Sequence, residues 1–138
     1  MAKHVLYNSS VVLNSIDLSD HVESVMLEVE TNAVPAAAMG DVEDYSMAST
    51  RKVKDISLNM YQDFAASKTY ATLQALWTAR STFNAVIKAD AGANATTNPA
   101  FTVSVFIKSF PFVSGKRSEA HMSQLVLAPA AAMTIATS

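Results

Sequence analysis

The sequence has no cysteine, only three glycines and few charged residues. Without thiols the chain cannot form disulfides, thiolate metal sites or a cysteine nucleophile. A charged fraction of 16% is low for a protein that keeps its whole surface in water, which indicates contacts with partners. The formal net charge of −2 argues against a basic nucleic-acid-binding patch and against a polybasic membrane anchor.

Long apolar runs are also missing, and none approaches the ~18 residues of a membrane-spanning helix. The apolar run at residues 5–7 is too short for the core of a signal peptide, so we expect a product that stays in the cytoplasm where it is made. With 138 residues, half of them hydrophobic, the chain has the length of one domain with a substantial core. We therefore expect residues 1–138 to be a single domain.

The chain is organised around residues 56–90, where the pattern changes from strand to helix and back. Residues 56–61 alternate between apolar and polar side chains, which is typical of a half-buried strand. Tyr70, Leu73 and Trp77 then recur at helical spacing, which predicts a helix of about three turns whose tryptophan fills the core. A second alternating run follows this helix.

Alternation predicts further strands on both sides of this central unit. They cover residues 11–13 and 16–18, which form a hairpin turning at Asn14 and Ser15, and then residues 23–30, 101–110 and 120–128. Six or seven strands and one helix predict a mainly β fold, either a β-sandwich or a rolled antiparallel sheet with one flanking helix. At least one strand must lie at an edge, and exposed edges pair with other chains.

Residues 31–52 show no clear period. A loop of this length inside a compact domain is usually functional or disordered, and this one is too apolar for a solvated coil. It is either a hairpin extension packed on its own domain or, as we favour, an arm that orders against a neighbouring subunit. The candidate contact residues of the arm are Val34, Pro35, Met39, Asp41, Tyr45 and Met47.

No motif in the sequence specifies catalysis, a cofactor or a metal site. The three histidines, His4, His21 and His121, lie in different segments without ligand spacing, and we interpret them as surface or interface residues. The chain has neither a Gly-x-Ser-x-Gly elbow nor a glycine-rich phosphate loop. We therefore expect no enzyme activity and no cofactor.

Three ordered segments together carry a family resemblance. The first is residues 16–25, with the run Asp-Leu-Ser-Asp-His-Val, and the second is Met39-Gly40-Asp41 followed by Arg51. The third begins at residues 62–66 and continues through Ala71-Thr72-Leu73 to residues 95–99. In this order and spacing, over residues 11–128, the chain resembles the small tail tube proteins of long-tailed bacteriophages. Its tail departs from that pattern, being rich in alanine instead of glycine.

The resemblance implies a structural subunit that forms hexameric rings, with the sheets joined into a barrel around a lumen. Stacked rings would form the tube that conducts DNA from capsid to host. The loop at residues 31–52 and two extended arms, residues 1–10 and 129–138, would bridge subunits and rings. The implied partners are further copies of the chain, the tape measure and the tail terminator, in a virion tail made in the host bacterial cytoplasm.

A lumen that lets DNA slide needs acidic and neutral polar side chains, because lysine and arginine bind phosphate by counterion release. The polar strand faces supply the lumen candidates Glu28, Glu30, Asp55, Ser57 and Asn59. We predict that Lys54, Lys88 and Lys108 pair with carboxylates or face outward.

Two other functions are compatible with the same sequence. One is a capsid decoration, head–tail joining or minor tail protein, which would form trimers or isolated rings. The other is a carbohydrate-binding β-sandwich module, which would need exposed aromatic residues on one sheet face. Phe106, Phe110 and Phe112 could supply them, but we expect these three side chains to be buried.

Overall fold

The computed structural model describes residues 9–65, 68–118 and 122–137, and within these ranges the fold is mainly β, as predicted. Most of the predicted N-terminal arm, residues 1–8, lies outside the described residues, as do His4 and His121. The elements in chain order are β1 Ser10–Leu13, β2 Ile16–Asp17, a 3₁₀ helix Ser19–His21, β3 Val22–Met26, β4 Val29–Pro35, β5 Ser46–Val53, β6 Ile56–Tyr61, α1 Thr69–Ala79, β7 Phe83–Lys88, β8 Ala100–Ser109, β9 Met122–Pro129 and β10 Thr134–Ala136.

Eight of these strands form one antiparallel sheet, in the order β2-β1-β7-β8-β9-β6-β3, with β10 added beside β8. Among the described strands, β4 and β5 pair only with each other and form a separate hairpin sheet. Inward-facing residues of β1, β6, β7, β8 and β9 belong to one buried cluster with Leu73 of α1. The sheet therefore rolls around its own core, and the helix covers one side of that core.

The core follows the alternation of the sequence. Ile56, Leu58 and Met60 of β6 are fully buried, and their cross-strand neighbours on β9 include Leu125 and Leu127, which are buried as well. Burial of each such side chain contributes roughly 1.5–3 kcal/mol, so these two central strands hold much of the domain together.

The predicted hairpin at the start of the chain is confirmed. Asn14 and Ser15 both have positive φ, 51° and 65°, as a two-residue turn between antiparallel strands requires. The segment that follows bends back onto β1, because the Val11 amide donates a hydrogen bond to the Ser19 hydroxyl at 2.8 Å. Asp17 accepts a hydrogen bond from the Ser19 amide at 2.9 Å and fixes the bend.

The helix forms where the sequence predicts it, but the tryptophan does not fill the core. Leu73 is fully buried, whereas Trp77 is 52% exposed. Thr69 and Thr72 are the other buried helix residues. Thr72 lies roughly 100° round the helix from Leu73, on the side away from Trp77, so the buried face is on that side. The prediction of core residues on this helix is therefore confirmed at Leu73 and wrong at Trp77, and Tyr70 is partly buried.

The prediction that residues 31–52 lack regular structure is wrong, because most of them belong to the β4–β5 hairpin, residues 29–53. The predicted strand over residues 23–30 is likewise two strands in different sheets, divided at residues 27–28. Every residue of β4 is exposed, and in β5 only Val53 is partly covered. A strand that buries neither face shows no alternation, which explains why the sequence pattern failed here.

The C-terminal segment also differs from the extended arm predicted over residues 129–138. β10 pairs with β8 of its own sheet, with Ile135 opposite Phe101. The Ala130 amide donates to the Ser104 carbonyl at 2.7 Å, so the pairing with β8 continues beyond the end of β9 toward β10. The described part of this tail therefore runs along its own domain.

Candidate assembly surfaces

The β4–β5 hairpin carries an apolar face that its own domain leaves uncovered. Val34 lies opposite Met47 in the ladder, and the Ala36 amide donates to the Tyr45 carbonyl at 3.0 Å. Alternation along the strands therefore places Val34, Tyr45 and Met47 on one face, where they are 48%, 54% and 62% exposed. Apolar surface of this kind on a single chain is typical of an interaction site.

The turn at the end of this hairpin is apolar and acidic. Asp41 closes the turn, because its carboxylate accepts a hydrogen bond from the Ala38 amide at 2.6 Å and its own amide donates to the Ala38 carbonyl. Met39 and Val42 are fully exposed on either side of it. All the predicted contact residues of the arm, including Pro35, are exposed, and their contacts with another subunit stay a prediction.

Three lumen candidates lie at the base of the hairpin, and each is paired with a lysine. The carboxylates of Glu28, Glu30 and Asp55 lie 3.5, 3.9 and 2.6 Å from the ammonium groups of, respectively, Lys54, Lys52 and Lys108. The predicted pairing of Lys54 and Lys108 with carboxylates is confirmed. Lys88 instead donates to the Gly92 carbonyl. Such exposed pairs contribute about 0–1 kcal/mol each, but they neutralise the charge of this region.

The other two lumen candidates, Ser57 and Asn59, lie on the outward face of β6. The Asn59 amide donates to the Ser24 hydroxyl at 3.0 Å, and Gln124 of β9 faces Asn59 in register. The same face continues through the Ser104–Asn84 pair of β8 and β7. Four polar residues of this face are not among the predicted lumen residues: Ser24, Asn84, Ser104 and Gln124.

His21, predicted to be a surface or interface residue, links two distant segments and is mostly covered within its own chain. Its Nδ1 lies 2.8 Å from Asp20 and its Nε2 lies 3.0 Å from Asp63, and the side chain is only 15% exposed. Both ring nitrogens can donate only when the imidazole is protonated. Burial lowers the pKa of His21, but the hydrogen bonds to the two carboxylates outweigh it and raise that pKa overall. The protonated ring therefore ties the 3₁₀ helix to the segment that leads into α1.

The acidic partners of His21 have lowered pKa values. The His21 hydrogen bond is the main cause for Asp20, while for Asp63 it is the hydrogen bond from the Ala65 amide, followed by that from His21. These three side chains are not a metal centre, and no cluster of three or more potential ligands occurs in the described part of the chain.

An aromatic cluster lies beside α1. Its rings are Phe64, Tyr70, Trp77, Phe110 and Phe112, and Phe112 meets Tyr70, Trp77 and Phe110 edge-on, with centroids 5.5–5.7 Å apart. The prediction that Phe106 and Phe112 are buried is wrong, since they are 41% and 37% exposed; Phe110 is partly buried. Edge-on rings cover one another's faces, so the cluster does not form the flat platform on which a sugar stacks.

No protein-family model matches the chain, and no curated protein matches its sequence. Among the residues that the structure describes, no helix is long and apolar enough to cross a membrane. Solved structures nevertheless share the fold. A chain of the native gene transfer agent virion superposes with a TM-score of 0.73 at 9% identity, covering 96% of this chain and 98% of that one.

Two further solved structures with a similar fold come from a tail and from a sheath–tube complex. A chain from the tail of an empty gene transfer agent particle with C6 symmetry matches with a TM-score of 0.63 at 10% identity, covering 83% of this chain and 81% of that one. A chain from the sheath–tube complex of an extracellular contractile injection system matches at 0.69 with 13% identity, covering 99% and 93%. The chain therefore has the tail-tube fold.

Proposed function

We propose that this protein is the structural subunit of a tail tube, forming hexameric rings that stack around a channel for DNA. The observation that carries the proposal is the apolar face of the β4–β5 hairpin, which is exposed in the single chain and needs a neighbour to cover it. The tail-tube fold supports it, and the C6 symmetry of one structure with this fold supports six subunits in a ring.

Ring closure would use the edges of the main sheet. Among the described strands none pairs with the outer edge of β3, and the opposite edge is the two-residue strand β2. An unpaired edge presents backbone donors and acceptors that a strand of another chain can satisfy. Joining such edges around a six-fold axis would turn six rolled sheets into one continuous barrel.

The lumen would be lined by the outward face of β3, β6 and β9, on which polar residues lie beside Met26 and Val126. Ser24, Ser57, Asn59 and Gln124 offer hydrogen bonds to water without positive charge, so DNA would pass without specific binding. Glu28, Glu30 and Asp55, with their paired lysines, would lie nearer the base of the hairpin at the rim. The partners would be further copies, a tape measure and a tail terminator, in a virion tail made in the host bacterial cytoplasm.

Negative-stain electron microscopy of the purified protein tests the proposal. Long hollow tubes with a six-fold end view are the expected result. Trimers or isolated rings would favour a capsid decoration or head–tail joining protein, and a monomer at high concentration would contradict assembly altogether.

A variant of the β4–β5 hairpin tests whether its exposed apolar face forms the assembly contact. Replacing Val34, Tyr45 and Met47 with serine should leave a folded monomer that forms no tubes, because these side chains do not contact the core. Val113→Ser is the matched control, since Val113 is 82% exposed on another surface, and it should still form tubes. Tubes from the triple variant would remove the hairpin from the assembly contact.

A further inference from the structure

An apolar groove of about 460 Å³ opens beside the base of the β4–β5 hairpin. Its lining includes Leu27 and Val29, next to the hairpin, and the C-terminal residues Met133 and Ile135. Val29 and Ile135 are 60% and 57% exposed, so the groove is open to solvent. Among the lining residues that the structure describes, Lys88 alone is charged.

The hairpin turn of the same chain cannot fill this groove. Val29 lines the groove at the start of β4, and the turn begins after the seven residues of that strand. At ~3.3 Å per residue the turn lies roughly 20 Å from the groove. Met39 and Val42, at the turn, are fully exposed, so neither contacts the lining residues of its own domain.

The chemistry of the turn complements that of the groove. Residues 36–45 hold two exposed aliphatic side chains, Met39 and Val42, and three acids, Asp41, Glu43 and Asp44, without a basic residue. The groove offers aliphatic and aromatic walls with one lysine at their margin. Lys88 has three donor hydrogens, so it can keep its hydrogen bond to the Gly92 carbonyl and still meet a carboxylate.

We propose that this groove receives the hairpin turn of a second copy of the chain, with Met39 and Val42 against the aliphatic walls and the acidic residues facing Lys88. The inference rests on the proposed function, since it names the acceptor surface for the hairpin. The contact joins two different surfaces, so each copy offers a turn to one neighbour and a groove to another. A head-to-tail contact of this kind repeats, and it closes a ring or extends a stack.

Disulfide trapping tests the contact directly, because the chain has no cysteine of its own. Val42→Cys and tagged Ile135→Cys proteins are mixed under assembly conditions, oxidised, and resolved on a non-reducing gel. A disulfide needs Cα atoms about 4.4–6.8 Å apart, a separation that the proposed contact would give residues 42 and 135. The mixed dimer of Val42→Cys with Ile135→Cys should therefore form in several-fold excess over the mixed dimer of the control pair, Val113→Cys with Ile135→Cys. An equal yield from both pairs would overturn the proposal.

Charge reversal tests the same contact without cysteines. Lys88→Glu should raise the concentration needed for assembly by about fivefold, the factor that an exposed ion pair can supply. Combining it with Glu43→Lys and Asp44→Lys should restore assembly, whereas no rescue would count against the pairing. Circular dichroism checks that each variant is folded.

The outcomes separate this inference from the proposed function. Tubes of the unmodified protein, combined with trapping at the control level, would reject the groove and leave the tube intact. Absence of tubes would reject the proposed function itself. A Leu6→Cys, Ile135→Cys protein is also mixed with the Val42→Cys protein and oxidised. An intrachain disulfide in place of the mixed dimer would show that the chain fills its own groove and would overturn the inference.

Discussion

Replacing Leu73 with alanine should destabilise the domain more than replacing Trp77, although tryptophan is the larger side chain. Leu73 is 0% exposed and lies in the core cluster, whereas Trp77 is 52% exposed and meets Phe112 edge-on at 5.7 Å. A buried Leu→Ala change costs roughly 2–5 kcal/mol, because it loses transfer free energy and leaves a cavity. Because Leu73 is fully buried, we expect Leu73→Ala to lower the free energy of unfolding by about 3 kcal/mol.

The loss at Trp77 should be about half as large. Full truncation of a buried tryptophan costs roughly 3–5 kcal/mol, but about half of this side chain is already in water and its removal opens no enclosed cavity. The remaining contact with Phe112 is of a type worth about 0.5–1.5 kcal/mol. We expect Trp77→Ala to lower the free energy of unfolding by about 1.5 kcal/mol.

Urea unfolding followed by far-ultraviolet circular dichroism measures both changes. Fluorescence is unsuitable, because Trp77 is the only tryptophan and one variant lacks it. The measurements belong in the serine-substituted hairpin background, so that assembly does not add to the apparent stability. Gln74→Ala, at a partly exposed helix position, is the control and should change stability by less than about 0.5 kcal/mol. A Trp77→Ala loss equal to or above that of Leu73→Ala would refute the assignment of Leu73 as the helix anchor.

Three further predictions follow from the described contacts. The pKa of His21 is raised above 6.5, so its stabilisation is present in full below pH 6.5 and is lost as pH rises through the folded value. The pKa values of Asp20 and Asp63 are lowered from 3.8, so their stabilisation is present above pH 3.8 and is lost on further acidification. His21→Ala should therefore lower the free energy of urea unfolding more at pH 5 than at pH 9. Equal losses at the two pH values would refute a stabilising contact of protonated His21 with the two carboxylates. Glu28→Lys should slow DNA ejection, since it adds positive charge beside the channel, and unchanged ejection and assembly would remove Glu28 from the lumen. Asp41→Ala should weaken tube formation while leaving the unfolding midpoint almost unchanged, because Asp41 organises only the exposed turn; a large loss of stability would place the turn against its own domain.

The sequence predicts best those strands that bury one face. Residues 56–61 alternate between apolar and polar side chains because every second side chain enters the rolled core. Burial alternates in β9 as well, with Ser123, Leu125 and Leu127 inside. The turn at Asn14 and Ser15 was equally predictable, since short polar residues tolerate positive φ. Local rules suffice here because the cause of each feature lies within a few residues of it.

Features that depend on distant residues escaped the sequence analysis. The His21–Asp63 contact joins residues 42 positions apart, and neither residue carries a local signal of the other. The buried side of α1 depends on how the helix lies across the sheet, so the period alone could not place Trp77. The β4–β5 hairpin buries neither face in the single chain, so the pattern that would mark its strands is missing.

The few charged residues of the chain lie mostly away from the apolar surfaces of the hairpin and the groove. Around the base of the hairpin the charges pair with one another, and those of the turn are all acidic, while the apolar hairpin face and the groove at its base carry almost none. In the proposed assembly these surfaces would be held by apolar burial, and charge would act mainly to select the correct pairing. Salt screens exposed ion pairs but leaves apolar burial in place, so an assembly built on these surfaces should survive ionic strengths that dissolve a charge-held complex. That property would suit the proposed tube, whose lumen would have to let DNA pass without attracting it.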